Sequence, residues 1–572
     1  MCSSTANGES LSTATSNLAQ PLAKIRRFAR RIIYLLLFIA PLLYAPGLPL
    51  ANPFDTGRRL FLLLCTGLLC ACLLQSWEQC KQFTLRKHVL DIPVLLFSLA
   101  ILVTGFTSAY PWISLFGPVW SKDGLPLLGS CLVLYFAIKE FIVDPREISF
   151  ALNITVFSGG LVALIGLTEY FGILNFHLPY SQYRLMSTLG NPMFTGTYLA
   201  TLIPLGFGLI FACPHPRLKL WLDASTLVML VALLFTLTRG AWVAVCCAFL
   251  LMSVLVICQR KRLFPSPASV WGLWIRFAIY AFVLVIMLTA QSRLSVKSAE
   301  SLAVQSRLSS MTHLQSENTV TDRLLAIKGG VRMFLARPLF GWGLGTSSFV
   351  MPEFRPVGSQ SRYAIQSYPH CLPVQIAAET GILGLLPYLL LLVLLFYTAY
   401  KITCRDGEFA WLGIGLLGLF TANFVASLGA VDDAETLMLF WAMLGITASL
   451  QAKEAVLSTT SEAKAMPAFG RYLCHYGALL ALLLTILTVS AQTAASYFQY
   501  RAVYRLDRAQ ALITTDTKRA ADLSFAAIGD LFRAIDLTPL PTLHTKHLLL
   551  AGDTMSWRLL AQAYITQTHI FT

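Results

Sequence analysis

Charge is what this chain has least of: Asp, Glu, Lys and Arg make up 12% of its 572 residues, against 56% hydrophobic ones. So few charges cannot cover a water-soluble globule of this size, and an integral membrane protein is implied instead. Acid is scarcer than base, 28 residues against 43. The excess does not point to nucleic acid, because basic residues in such a chain serve first as cytoplasmic anchors that set orientation. Also missing are a phosphate-binding loop ending in Gly-Lys-Ser/Thr, an Asp-rich metal cluster, a His-Glu-x-x-His pair and paired carboxylates in an outward loop. Their absence favours chemistry without a metal. Paired cysteine spacing is absent too: Cys65, Cys70, Cys72, Cys131, Cys246 and Cys247 lie inside apolar runs, where they read as small buried hydrophobes and not as zinc ligands or a disulfide framework.

What is abundant is apolar sequence in bilayer-length runs. They recur at about 32–50, 59–77, 90–108, 124–143, 150–172, 192–213, 222–238, 241–258, 272–290, 376–400, 411–429, 436–451 and 474–492, each near the length needed to cross hydrocarbon as a helix. The expectation is an all-α polytopic membrane protein of about thirteen transmembrane helices. The first run follows a basic stretch, Lys24 to Arg31, and imitates a signal peptide. It is long enough to span and lacks a small-residue cleavage site, so it reads as a retained first helix.

Orientation follows from the connections that carry Lys and Arg. Residues 24–31, Lys81 with Arg86 and Lys87, Lys139 with Arg146, Arg217 with Lys219, Arg260 to Arg262, Lys401 with Arg405, and Lys453 with Lys464 and Arg471 mark every second connection. The N-terminus is therefore expected in the cytoplasm. An odd number of spans puts the C-terminal tail outside. The division expected is a cytoplasmic extension 1–31, a membrane domain 32–492 containing a long outward loop 291–375, and an outward helical tail 493–572. Within the tail, Leu523 to Leu537 alternates faces and closes like one tetratricopeptide-type helix pair.

The long loop is basic on the wrong side. Arg293, Lys297, Arg307, Arg323, Lys328, Arg332, Arg337, Arg355 and Arg362 face only Glu300, Glu317, Asp322 and Glu353; an anionic ligand is the reading this suggests. Thr321 to Arg337 has apolar residues at helical spacing (Leu324, Ile327, Val331, Phe334, Leu335), closed by Pro338 and the run Gly341-Trp-Gly-Leu-Gly345. An amphipathic helix on the membrane surface is expected there.

His370 stands just before a span, in Pro369-His-Cys-Leu-Pro-Val-Gln375. An imidazole titrates near neutrality, so an outward one can take a proton from a hydroxyl; capping backbone is its plainer role. Arg239 lies on the turn Thr238-Arg-Gly-Ala-Trp242, and Arg323 and Arg184 face the same compartment. A guanidinium fork suits phosphate, although a snorkelling interfacial arginine needs no ligand. Lys122 adds a possible point charge, while Glu379 reads as a structural hydrogen-bonding group rather than a catalytic acid.

Taken in order, Arg239, Arg323 in Thr321-Asp-Arg-Leu, the Gly341–Gly345 run, and His370 with Gln375, Glu379, Gly381 and Gly384 resemble the O-antigen ligase and polymerase superfamily. Arg184 with Gly190-Asn-Pro192 matches a further element upstream. The resemblance implies a glycosyltransferase of the bacterial inner membrane that takes a glycan from undecaprenyl pyrophosphate on the periplasmic face. It implies His370 as the general base, Arg239 and Arg323 as binders of the pyrophosphate, Gln375, Glu379 and Gly381 in support, and neither metal nor cofactor; Arg184, from the matching upstream element, and Lys122, by charge and side alone, are expected beside the pyrophosphate. Cys371, where the family usually has Asn, and Pro373, in the first turn of the next helix, are departures. The expected acceptor is a hydroxyl of lipid A core, as in O-antigen ligation; extension of the glycan by a polymerase and transfer to protein by an oligosaccharyltransferase use the same residues. A small-solute transporter is the competing class. Scarce mid-membrane charge and no inverted repeat weigh against it.

Overall fold

The computed structural model describes residues 6–44, 54–80, 86–116, 124–173, 184–264, 318–354, 368–429, 434–458 and 467–512, with isolated positions at 276, 519, 522, 523, 526, 527 and 530. These residues are helical, with no strand among those described. The helices are α1 (Ala6–Ile39), α2 (Thr56–Cys80), α3 (Asp91–Phe106), α4 (Pro111–Phe116), α5 (Leu125–Phe141), α6 (Pro145–Tyr170), α7 (Pro192–Ala212) and α8 (Pro216–Phe235). They continue as α9 (Arg239–Cys258), α10 (Arg260–Leu263), α11 (Asn318–Ala336), α12 (Ser347–Phe354), α13 (Leu372–Thr403), α14 (Glu408–Ser427), α15 (Ala434–Ser458) and α16 (Ala468–Leu512).

Among the described residues eight helices, α2, α6, α7, α8, α9, α13, α14 and α16, are long and apolar enough to cross a membrane. The apolar run at 272–290, Lys122 and most of the expected tail helix at 523–537 lie outside the described residues. Two boundaries differ from hydropathy. Helix α1 ends at Ile39 in a 3-10 turn over Ala40–Leu42, well short of residue 50, because Pro41 cannot donate to the helical ladder and Pro46 and Pro49 follow it. At the other end α16 runs for 45 residues, about 67 Å at the helical rise, so it continues well past a hydrocarbon core of about 30 Å.

Helix starts follow local chemistry. Asn191 caps α7 by accepting from the Met193 N–H (2.8 Å), with Pro192 opening the first turn. Asp144 and Glu147 form a capping box at α6. α7 sits at the centre of the bundle, with 89% of its most apolar stretch buried by other helices.

Contacts between connections sort into two sets. On one side Arg26 meets Glu140 (3.7 Å) and Arg30 pairs with Glu147. There Gln259 donates to Thr403 (3.0 Å), Arg262 pairs with Asp406 (2.7 Å), and His88 bonds Gln451 (3.2 Å). These are the connections read as basic. On the other side the 54–58, 184–192, 236–238, 318–354 and 368–372 segments meet one another and the ends of α14 and α15. Their pivot is Arg58: its Nε donates to the Leu43 carbonyl (3.0 Å), another nitrogen donates to the Thr188 carbonyl, and Nη1 pairs with Glu435 at 2.7 Å.

Arg58 and Glu435 keep only 2% and 3% of their side-chain surface exposed. A buried pair contributes little beyond a hydrophobic replacement, but removing one partner strands the other, at a cost of about 3–5 kcal/mol. Arg58→Ala or Glu435→Ala should therefore lower the thermal unfolding midpoint of the protein in nanodiscs by several degrees. A midpoint unchanged in both variants would show that the pair does not hold these segments together.

Candidate active site

Two glycines set the geometry of the site. Helix α13 is interrupted at one residue, Gly381, whose φ of 63° and ψ of −162° are not helical; only glycine adopts that backbone readily. Facing it is Gly341, at φ 67°. A Cβ on Gly341 would lie 2.4 Å from the Glu379 carbonyl carbon, and one on Gly381 would lie 2.4 Å from the Leu339 oxygen. With no side chain between them, the two main chains bond directly: Trp342 N–H to Ala378 O (3.1 Å), Gly343 N–H to Glu379 O (2.8 Å) and Ile382 N–H to Pro338 O (2.8 Å). The Glu379 carboxylate closes the join, accepting from the Gly345 N–H (3.0 Å), the Ser347 hydroxyl (2.6 Å) and Gln375 Nε2 (3.4 Å). Glu379, Gln375 and Gly381 thus hold the Gly341–Gly345 run against the break in α13.

That join fixes α11, which ends where the run begins. The Trp342 indole donates to the Met333 carbonyl (2.9 Å), and Arg337 stacks over its ring at 4.2 Å. The buried face of α11 is Ala326, Gly329, Gly330 and Met333, the i, i+3, i+4, i+7 pattern of a helical stripe. A Cβ on Gly330 would meet Val374 Cγ1 at 2.7 Å and Pro369 Cβ at 2.9 Å, so α11 lies directly against the segment that carries His370. The bulky residues read as its apolar face are on the other side: Leu324, Val331 and Leu335 are 54%, 41% and 68% exposed. Small residues let helix backbones come close, and the bulky ridge is left to the surroundings.

Arg323 precedes Gly330 by seven residues, two turns and about 10.5 Å along the same face. One of its nitrogens lies 3.9 Å from Met193 Sδ at the start of α7, and another is 3.9 Å from where a Cβ on Gly429 would be. Burial and the neighbouring Arg239 guanidinium both hold the Arg323 pKa below its ordinary value. Burial and Arg323 in turn hold His370 below the ordinary histidine range. Arg239 thus lies near enough to Arg323, and Arg323 near enough to His370, to act through charge, although the three come from separate parts of the chain. His370 has φ 54°, a conformation uncommon outside glycine, and its Nδ1 is buried without a hydrogen-bond partner. Pro373 does not break the next helix: it lies in the first turn of α13, where its missing N–H would have no partner in any case.

Arg184 is placed differently. Its Nε donates to the Thr236 carbonyl (2.9 Å) and Nη2 to the Thr238 hydroxyl (3.1 Å), so it grips the turn that leads into Arg239. Lys122 lies outside the described residues.

Between α3, α5, α13, α14 and α15 lies a cavity whose lining includes Tyr368 and Leu372, the residues two before and two after His370. Its walls are apolar, among them Phe97, Leu391, Phe420 and Trp441, and its polar groups include Gln375, Glu379 and Asn423. Asn423 is 7% exposed and its Nδ2 finds no partner. Neither this amide nor Gly330 is singled out by the sequence reading. The Gly329-Gly330 pair inside an otherwise helical pattern is the available signal for a close approach.

No curated protein matches the chain. Residues 224–389 match the family model described as O-Antigen ligase, a stretch running from α8 past Gly381 that contains Arg239, Arg323, His370, Gln375 and Glu379 and leaves out Arg184 and Lys122. Over that stretch the chain is similar to the O-antigen ligase family, which supports the resemblance to the O-antigen ligase and polymerase superfamily.

Proposed function

We propose that the protein is a metal-independent glycosyltransferase of the bacterial inner membrane that moves a glycan from undecaprenyl pyrophosphate to an acceptor hydroxyl on the periplasmic face, most directly from O-antigen donor to lipid A core. The observation that carries this reading is the placement of Arg323: it sits against the start of α7 and the end of α14, near the Arg239 guanidinium, on a helix that packs on the segment carrying His370. Burial and the Arg239 guanidinium both disfavour the charge on Arg323, a poor resting arrangement and a good one for a diphosphate, whose negative charge offsets it.

In the reaction the acceptor oxygen attacks the anomeric carbon while His370 removes its proton. The bond from that carbon to the pyrophosphate oxygen breaks, and its electron pair leaves with the diphosphate. Negative charge therefore grows on the leaving group in the transition state, where preorganised guanidinium groups stabilise it most. These cations supply what a divalent metal supplies in other phosphate chemistry, so activity should survive exhaustive chelation. The apolar cavity lined in part by Tyr368 and Leu372 suits a lipid chain on either substrate.

Two outcomes follow for purified protein in nanodiscs. His370→Ala should reduce transfer from a lipid-pyrophosphate donor by at least about 10²-fold, the usual size of a general-base contribution, with an unchanged unfolding midpoint. Transfer at the wild-type rate would remove His370 from the chemistry. Loss of the enzyme from its host should leave full-length polymer on the lipid carrier; accumulation of single repeat units would identify a polymerase instead.

The second outcome concerns pH. The active base is neutral imidazole, and both burial and Arg323 favour that form. The acidic limb of kcat/KM should accordingly lie below the ordinary histidine value of about 6.5. Arg323→Gln removes one of the two causes and should move the limb upward. A limb at or above 6.5 in the wild type, or one that Arg323→Gln leaves in place, contradicts the assignment.

A further inference from the structure

The turn between α8 and α9 is bent through a residue that should resist it. Leu237 has φ 53°, on the left-handed side, where a leucine's Cβ crowds its own carbonyl and which side chains of this kind adopt only under external constraint. The constraint is visible on both sides of that residue. The carbonyl just before it, on Thr236, accepts from Arg184 Nε (2.9 Å), and the hydroxyl just after it, on Thr238, accepts from Arg184 Nη2 (3.1 Å). The Thr238 hydroxyl donates onward to the Pro192 carbonyl (3.0 Å), and the Leu185 N–H donates to the Phe235 carbonyl (3.0 Å). One planar guanidinium thus clamps the backbone either side of Leu237, with the 185–192 segment as its foundation.

The next residue after the clamped turn is Arg239, the first of α9, and Thr238 gives that helix no side-chain cap. Where the turn goes, the Arg239 guanidinium goes. We infer that Arg184 is a positioning residue for the donor site: it holds Leu237 in its left-handed conformation and so aims Arg239 at the pyrophosphate, rather than holding the pyrophosphate itself. This rests on the proposed role of Arg239 and assigns Arg184 a different part from the one its charge suggests.

The geometry supplies its own test, because glycine adopts the Leu237 conformation without constraint. Donor KM, kcat and unfolding midpoint are to be measured in nanodiscs for Arg184→Gln in the wild-type background and in a Leu237→Gly background. Leu237→Asn, which tolerates the same conformation, serves as a second background should removal of the buried leucine side chain impair folding. Arg184→Gln is expected to raise donor KM about tenfold in the wild-type background, a coupling of ordinary size for residues in one network, and less than about twofold with glycine or asparagine at 237. Arg184→Lys should rescue part of the loss through one remaining bond.

An equal KM increase in all backgrounds would mean that Arg184 touches the donor directly, and would overturn the inference. So would an unchanged KM with a lowered unfolding midpoint, which would make the clamp a matter of stability alone. Arg239→Gln is the separate control: it should raise donor KM equally in every background. If it leaves KM unchanged, the reading of the donor site fails while the coupling between Arg184 and Leu237 is still read from their own variants.

Discussion

The site depends on a backbone-to-backbone contact between Gly341 and Gly381. Any side chain at either position would occupy the space of the other segment's main chain. Because neither glycine has one, the run after α11 can bond to the interrupted start of α13, and Glu379 can close the join with three donors. Helix α11 is then fixed in direction at its end, Gly330 brings it against Pro369 and Val374, and Arg323 falls two turns away on the same face. The charged part of the site is a consequence of that uncharged join.

Around it the electrostatics have one direction. Arg239 acts on Arg323, Arg323 acts on His370, and burial adds to both effects. Placing cations together raises their energy relative to a solvated arrangement, and under the proposed function a bound diphosphate reverses that. The same arrangement keeps the imidazole neutral, which is the form a base requires. Under the proposed function, substrate affinity and base strength are both set by the Arg323 guanidinium.

Much of this is legible in the sequence, for identifiable reasons. Bilayer-length apolar runs locate the helices because backbone in hydrocarbon must satisfy its own hydrogen bonds. Alternating Lys and Arg sort the connections into the two sets that the contacts define. His370, Arg239 and Arg323 each admit a plain interfacial role, and it is their combined order, with its resemblance to a known family, that singles them out. What a sequence does not carry is partnership at a distance. By charge and position Arg184 suits phosphate, and only its bonds to Thr236 and Thr238 reveal another employment; nothing near Arg58 announces Glu435. At α11 the bulky apolar residues lie on the side that faces away from protein, where an amphipathic helix on a membrane surface would have them, while the packing side is made of small residues that hydropathy does not mark.

The most direct measurement is a structure of the protein with a lipid pyrophosphate bound. The account predicts the diphosphate between the guanidinium groups of Arg239 and Arg323, with the His370 ring turned toward the carbon that the pyrophosphate leaves and Arg184 still bonded to Thr236 and Thr238. A diphosphate bound elsewhere, with Arg239 and Arg323 making no contact to it, would contradict it.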